Sequence, residues 1–496
     1  MSSNHLSILV PVIGDQQIND QIRDNLTGHA TRDCPVWVYA SRTAERDFPN
    51  NIYWTNGNWN SLAELLNQAF REIISQVIVF VPPYALLDPE SPQIIQRAFS
   101  DNLNCAYVYS DFRYSDGREI RLIDDPGDIT ERQDWGDMFA VKRKMVLQKG
   151  GVDEGNPAAV LYDLRLKMSD EEELLHIPRV LYQVPAPSVA DLDVGKDVLF
   201  FAGQGKYGGF NYLFNDPEVE RQFENVFYAM LKRRGAYLER IPPASPPDSG
   251  PLLSPAVSVL IPVYNRQDFI GSAIESVLNG TFHDFEILVI DNGSTDGTCA
   301  KVEEYTNDPR VCLLHCPENV IAKSLNTGVG AARGRYIAQL DSDDEYTKDT
   351  LSSMVQHLET HPTCGLAISY YELMDMEGNT MKDFGIITHS EYNINNVLRV
   401  DGAGAVRVWR ASVLKNLGGF DEKELGGYGE DYDLVLKVSE RYEVGRVHEV
   451  LYRYRRHPGN TDAMIDSCRK IQAKSRARQN ALRRRRQLNR DMCKIC

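Results

Sequence analysis

The sequence predicts an α/β protein made of two tandem copies of one doubly wound, mostly parallel sheet, joined by a helix and linker. Three observations predict it. Short β-branched runs alternate with segments of helical spacing along both halves. Four short motifs recur in the same order in the two halves. Between the halves, residues 241–255 are rich in Pro, Ser and Gly and read as an extended linker.

The recurrences run along the chain in step. LSILVPV at 6–12 matches VSVLIPV at 257–263, and KGGVDE at 149–154 resembles LGGFDE at 417–422. YDLRLKM at 162–168 resembles YDLVLKV at 432–438, and RVLYQV at 179–184 resembles EVLYRY at 449–454, both at an offset of 270. In the second copy the strands are expected at 257–263, 286–291, 311–315 and 336–340. Before the linker, the segment 217–241 has helical apolar spacing, with Pro217 at a helix start. The expected organisation is a first copy over 1–187, helix and linker over 188–255, a second copy over 256–462 and a basic helical tail over 463–496.

Composition removes several function classes. The 496 residues are 42% hydrophobic and 25% charged, as in folded proteins. A formal charge of −16 disfavours a protein that coats nucleic acid. No apolar run reaches the ~18–20 residues of a membrane span. The start, MSSNHLSILVPV, has no basic n-region and reads as a strand. Nine cysteines form an odd, sparse set, as expected of reduced thiols in the cytoplasm. From residue 463 onward eleven cations face only Asp466 and Asp491, a net +9 that leaves −25 for the rest. That tail reads as a solvated helix, or as a patch for an acidic partner surface or for anionic lipid, with peripheral membrane contact. The final Cys493 and Cys496 are too few thiols for structural zinc.

In doubly wound sheets ligands bind at the carboxyl ends of the strands. In the second copy those ends carry PVYNR (262–266), DNGSTDG (291–297) and QLDSDD (339–344). The first two supply turn-forming residues that let backbone approach a ligand, although DNGSTDG alone also reads as a capped turn. Three carboxylates in DSDD repel one another unless a cation or solvent compensates, which after a buried strand points to a hard metal facing phosphate. GEDYDL (429–434) opens an amphipathic helix, where acidic residues also suit the helix dipole.

With SVLIPVYNR, EILVIDNGSTDGT, ENVIAKSLNTGVGAARGRYIAQLDSDD, LGGFDE, GEDYDL and YRYRRHPGNT in this order, residues 257 to about 462 resemble a family 2 glycosyltransferase of the GT-A fold. The resemblance implies an inverting transferase that uses Mg²⁺ or Mn²⁺. It would move a sugar from a nucleotide-diphosphate donor, by resemblance a UDP-sugar, to a glycan, lipid-linked glycan or protein acceptor. It places Asp291 at the nucleobase beside Pro262 and Tyr264, with Asn265 and Asn292 in the same donor site. Asp341 stands by the ribose and the metal, and Asp343 ligates the metal. Asp431, beside Glu430, is the general base. His457 is a further metal or diphosphate ligand, with Arg455 and Arg456 nearby, or a surface histidine. Asn292 departs from the family pattern, where Asp-Asp is common.

The first copy, aligned on the same motifs, has Pro82-Pro83-Tyr84-Ala85 against DSDD, Val160-Leu161 against Glu430-Asp431, and Pro185-Ala186-Pro187 against Arg455-Arg456-His457. It is therefore expected to be a non-catalytic GT-A-like domain, or else a second active site using Asp88, Asp111 or Asp116. A processive synthase would need membrane helices and QxxRW, and a nucleotidyltransferase a Gly-rich basic loop after its first strand. A non-catalytic scaffold leaves Asp341, Asp343 and Asp431 without a purpose.

Overall fold

The computed structural model describes residues 6–14, 16–41, 51–187, 212–240, 246, 255–381 and 385–495. Most of the expected linker (241–245 and 247–254) and Cys496 lie outside the described residues. The chain divides into two units: the segment Asn215–Arg234 belongs to the first, and residues 212–214 with everything from 235 on belong to the second.

The first unit holds strands β1 (Leu6–Val12), β2 (Val36–Ala40), β3 (Ile52–Asn56), β4 (Val77–Phe80), β5 (Leu86–Leu87), β6 (Cys105–Tyr114), β7 (Glu119–Ile120), β8 (Phe139–Lys142) and β9 (Glu173–Val184). The second holds β10 (Val257–Val263), β11 (Phe285–Asp291), β12 (Val311–His315), β13 (Tyr336–Gln339), β14 (Glu345–Tyr346), β15 (Cys364–Met374), β16 (Ile386–Ile387), β17 (Arg407–Arg410) and β18 (Glu443–Arg455). The sheet orders are the same: β3-β2-β1-β4-β8-β6-β9-β5 and β12-β11-β10-β13-β17-β15-β18-β14. Each sheet is mixed rather than mostly parallel. The first four strands are parallel, and β8 and β17 run antiparallel to both neighbours. The fold is two tandem GT-A-like α/β domains.

β1 and β10 are buried along their whole length because parallel neighbours and helices cover both faces, hence their near-continuous apolar sequence. The one polar residue in each finds a partner. Ser7 Oγ lies 2.6 Å from Ser75 Oγ, and Ser258 Oγ donates to Glu286 Oε1 at 2.6 Å. The two sheets share even their irregularities. Pairing of β6 with β9 shifts register at Ser110/Asp111, and pairing of β15 with β18 shifts at Ser369/Tyr370, 259 positions on.

Five helices matter below: α1 (Val160–Met168), α2 (Pro217–Arg233), α3 (Val397–Val400), α4 (Glu430–Ser439) and α5 (Ser467–Ile495). The helix expected beside the linker, α2, packs on α1 of the first unit, with Val226, Phe227, Met230 and Leu231 buried. The basic tail forms α5, which packs on α4 and buries Ala477, Ala481 and Leu482. Its arginines enter the core. Arg478 Nε donates to Leu398 O at 2.6 Å, and Arg485 Nη2 donates to Ile394 O at 2.7 Å. Arg484 pairs with Glu440 at 2.6 Å. Guanidinium groups are accepted inside because carbonyls around α3 and the buried Glu440 carboxylate need donors. Among the described residues no helix is long and apolar enough to cross a membrane.

Candidate active site

At the carboxyl end of β10, Asn265 takes a left-handed backbone (φ 50°). It ties the strand to the 291–297 loop: its N–H donates to Ser294 Oγ at 2.9 Å, and its Oδ1 accepts from Thr295 N at 2.8 Å. Gly293 (φ 80°) makes the turn, and a Cβ there would stand 3.3 Å from Pro317 O. Asp291 is buried, its oxygens accepting from Gly293 N (3.2 Å) and Ser294 N (3.1 Å). Burial opposes its ionisation, yet hydrogen bonds from Ser294 and Gly293 hold its carboxyl below the ordinary range. Asn292 accepts from the Ser324 hydroxyl.

A cavity of about 730 Å³ opens at these strand ends. Pro262, Tyr264, Asn265 and Asn292 line one side of it, whereas Asp291 sits behind them, closing its own loop. Cys299 and His315 also bring ligating atoms near Asp291, all within 4.8 Å of one another. There the Asp291 oxygens already accept backbone N–H groups, and burial with the Asp291 charge pushes the Cys299 thiol up, away from thiolate.

Beyond β13 the DSDD loop crosses the cavity. Asp343 Oδ2 receives Arg266 Nε at 3.2 Å and His457 Nε2 at 3.0 Å. His457 Nδ1 accepts from Gly459 N at 3.2 Å, which leaves the ring proton on Nε2 for Asp343. Both ring nitrogens are thus engaged, and His457 acts on Asp343 from behind. Burial would raise the Asp343 carboxyl, but the His457 hydrogen bond and the Arg266 charge hold it low. Asp341 is pushed up to about 7 by burial and the neighbouring Asp343 charge. Asp344 turns inward: Oδ1 accepts from Arg455 N at 2.7 Å, and Oδ2 is buried without a hydrogen-bond partner among the described residues. Arg455 clamps this loop, donating to Asp343 O at 2.8 Å and pairing with Glu345 at 2.6 Å. Arg456 faces the cavity, paired with Asp462 at 2.9 Å. Two carboxylates on one wall, one destabilised by the other, with an imidazole beside them, form an oxygen-rich donor set that fits Mg²⁺ or Mn²⁺.

The start of α4 also lines the cavity. Gly429 precedes it at φ 87°, with Ala473 of α5 packed 3.8 Å from where a Cβ would sit. Glu430 is buried, and burial with the Asp431 charge pushes its carboxyl well up. Asp431 faces the cavity, its side chain 29% exposed. Its Oδ1 accepts from Tyr432 N at 2.6 Å, and its Oδ2 pairs with Arg407 Nη1 at 2.9 Å. Of the two acids, Asp431 alone combines access to the cavity with a cationic partner.

Residues 258–417 match the family model described as glycosyl transferase family 2. A protein of Haemophilus influenzae named only as an uncharacterized glycosyltransferase is 30% identical over 243 residues, 46% of this chain and 73% of that protein. The chain belongs to glycosyl transferase family 2. A chondroitin synthase of Escherichia coli is 30% identical over 211 residues, 42% of this chain. The chain spans only 30% of that protein, and 21% of the chondroitin synthase of Pasteurella multocida. Among solved structures, TarS of S. aureus in complex with UDP-GlcNAc is 22% identical, with a TM-score of 0.36 over 42% of this chain and 61% of that one.

The family model spans Asp291, Asp341 and Asp343 but ends before Glu430 and Asp431, which line the same cavity as Asp341 and Asp343, and before His457, which bonds Asp343. Arg407 was not among the residues singled out from this family 2 sequence. It stands opposite Gln339 in the β13–β17 register, and Phe139 stands opposite Phe80 in β4–β8. Arg407 in RVWR, against Phe139 at the matching position of FAVK in the first copy, is the signal the repeat carries. The short strands keep the same offsets in both units: Leu86 and Leu87 pair with Gln183 and Tyr182, as Glu345 and Tyr346 pair with Arg453 and Tyr452.

Proposed function

We propose that the chain is an inverting, divalent-metal-dependent glycosyltransferase that moves a sugar from a UDP-sugar to a hydroxyl of a glycan, lipid-linked glycan or protein. The observation that carries this is the convergence of Asp341, Asp343 and Asp431 on one cavity. Relatives named chondroitin synthase and hyaluronan synthase support a role in building polysaccharide.

In this reading Pro262, Tyr264, Asn265 and Asn292 receive the nucleoside, with Asp291 shaping their loop. Asp341 and Asp343 would hold the metal, and His457 and Arg266 orient Asp343 towards it. When bound, the metal supplies a Lewis acid for the charge that gathers on the departing diphosphate. Arg456 lies on the same side for the phosphates. Asp431 accepts the proton of the attacking hydroxyl, an assistance worth about 10²–10⁴-fold. Glu430, buried and pushed towards its neutral form, supports Asp431 without adding a second charge to the cavity. Attack assisted by a single base opposite the leaving group inverts the anomeric centre. The first unit, with apolar residues at the matching positions, serves structure, acceptor binding or assembly. A cytoplasmic setting belongs to this reading, supported by eight cysteines free among the described residues.

The test is a screen of the full chain with Mn²⁺ against UDP-GlcNAc, UDP-glucuronic acid, UDP-galactose and GDP-mannose, reading nucleotide release and thermal shift. Release from a UDP-sugar that stops with a chelator is expected. Release indifferent to chelation would overturn the metal assignment, and neither release nor shift with any donor would overturn the transferase reading.

A further inference from the structure

The tail helix α5 has two chemically distinct sides. Towards the protein it presents Ala477, Ala481 and Leu482 together with the buried Arg478 and Arg485. The outward side carries Arg469, Arg476, Arg483 and Arg490, all exposed and each seven residues from the next. A seven-residue step advances roughly 10 Å along a helix and drifts about 20° around it. The four guanidinium groups therefore form one stripe about 30 Å long. Exposed Gln472 and Gln487 fill the intervals, and Lys494 extends the same face. Arg483 donates to Asn480, and none of the four arginines pairs with a carboxylate among the described residues.

The stripe begins at the cavity. Arg469 Nη2 stands 3.4 Å from where a Cβ on Gly427 would lie, and Gly427 lines the cavity. One turn on, Lys474 also lines it and pairs with Asp401 at 2.6 Å. A row of unsatisfied cations thus leads from the candidate active site outward, on a chain whose remainder carries −25. A polyanion is repelled elsewhere and attracted along this line. The arginine interval is comparable to the length of two sugar rings in an extended glycan.

We infer that the outer face of α5 is an acceptor track for a glycan chain bearing carboxylate groups at regular intervals, fed into the cavity past Arg469. This rests on the transferase reading for the direction of travel. A membrane surface is the poorer occupant, because helices that lie on bilayers sink an apolar face into them, and the apolar residues of α5 are spent against the protein.

The test uses the full chain and an Arg476→Glu/Arg483→Glu/Arg490→Glu variant, with Arg476→Gln/Arg483→Gln/Arg490→Gln as a milder second. The probes are fluorescent hyaluronan fragments, neutral dextran of similar length, and phosphatidylcholine vesicles with and without phosphatidylglycerol. Wild type should bind hyaluronan in a salt-dependent manner and ignore dextran. The Glu variant should lose at least tenfold in affinity and the Gln variant several-fold, with unchanged melting temperature and unchanged UDP binding in Mn²⁺. Equal hyaluronan affinity in all three proteins, or equal binding of dextran, would overturn the track. Loss of vesicle binding with hyaluronan binding intact would do so in favour of a membrane surface. Absence of UDP binding in the wild type would instead count against the transferase reading, while the hyaluronan comparison still judges the stripe.

Discussion

Replacing Arg407 by methionine removes the only cation bonded to Asp431 among the described residues while keeping an unbranched side chain in place of the aliphatic stem. The pair is 2.9 Å apart, with side chains 11% and 29% exposed, so it is shielded but not dry. Two unit charges about 4 Å apart at an effective dielectric constant near 20 interact by roughly 4 kcal/mol. Partial exposure and the surviving bond from Tyr432 N reduce the loss to about 1–3 kcal/mol, which corresponds to roughly 5- to 150-fold in turnover if it falls on the transition state. The assay is nucleotide release at saturating donor, with UDP affinity in Mn²⁺ measured by calorimetry. Turnover should fall by that factor while UDP affinity changes less than about threefold, because Asp341 and Asp343 are untouched. Asp431→Asn should fall by about 10²–10⁴-fold, and adding Arg407→Met to it should cost little more, since the pair acts as a unit. Full turnover in Arg407→Met, or a further tenfold loss in the double variant, would refute the assignment of Arg407 to the base.

Asp343→Ala should abolish the Mn²⁺-dependent part of UDP binding, and calorimetry with and without chelator would reveal any persistence. Arg485→Met leaves Ile394 O without its side-chain donor and takes one of two donors from Asn395 Oδ1, which keeps Leu238 N, so the second unit should lose about 2–4 kcal/mol and several degrees of melting temperature by scanning calorimetry. Glu286 is depressed although burial opposes ionisation, because Ser258 and Arg333 donate to it. Its stabilising effect is present above the unfolded value of about 4.3 and fades as pH falls through the lower folded value. Glu286→Gln should therefore cost about 1–2 kcal/mol at neutral pH, with the gap closing in acid denaturant melts below about pH 4. Tyr84→Ala and Leu161→Ala, at the first-unit counterparts of Asp343 and Asp431, should leave turnover within about twofold; a selective loss in a folded variant would restore catalysis to the first unit.

The sequence by itself determined the duplication, the strands β10 and β12 to the residue, and the strand ends at which the cavity opens. It did so because fully buried parallel strands must be apolar throughout, and because a loop of three carboxylates after such a strand has few stable explanations. Tertiary structure decided which side chains of those motifs face the cavity. Asp291 closes its own turn, Arg455 clamps the DSDD loop, and Asp344 points inward, differences of direction that residue spacing does not encode. It also decided matters between distant segments. Arg407 meets Asp431 because β17 crosses antiparallel beside β13, a register set by pairing and not by local pattern. The tail reads as a solvated basic helix, yet part of its charge lies inside the fold. Arg478 and Arg485 satisfy carbonyls around α3 and Arg484 meets Glu440, while four arginines spaced seven residues apart remain exposed on the far face. A run of like charges shows how much charge a helix carries; which of those charges are buried depends on the acceptors that folding brings against it.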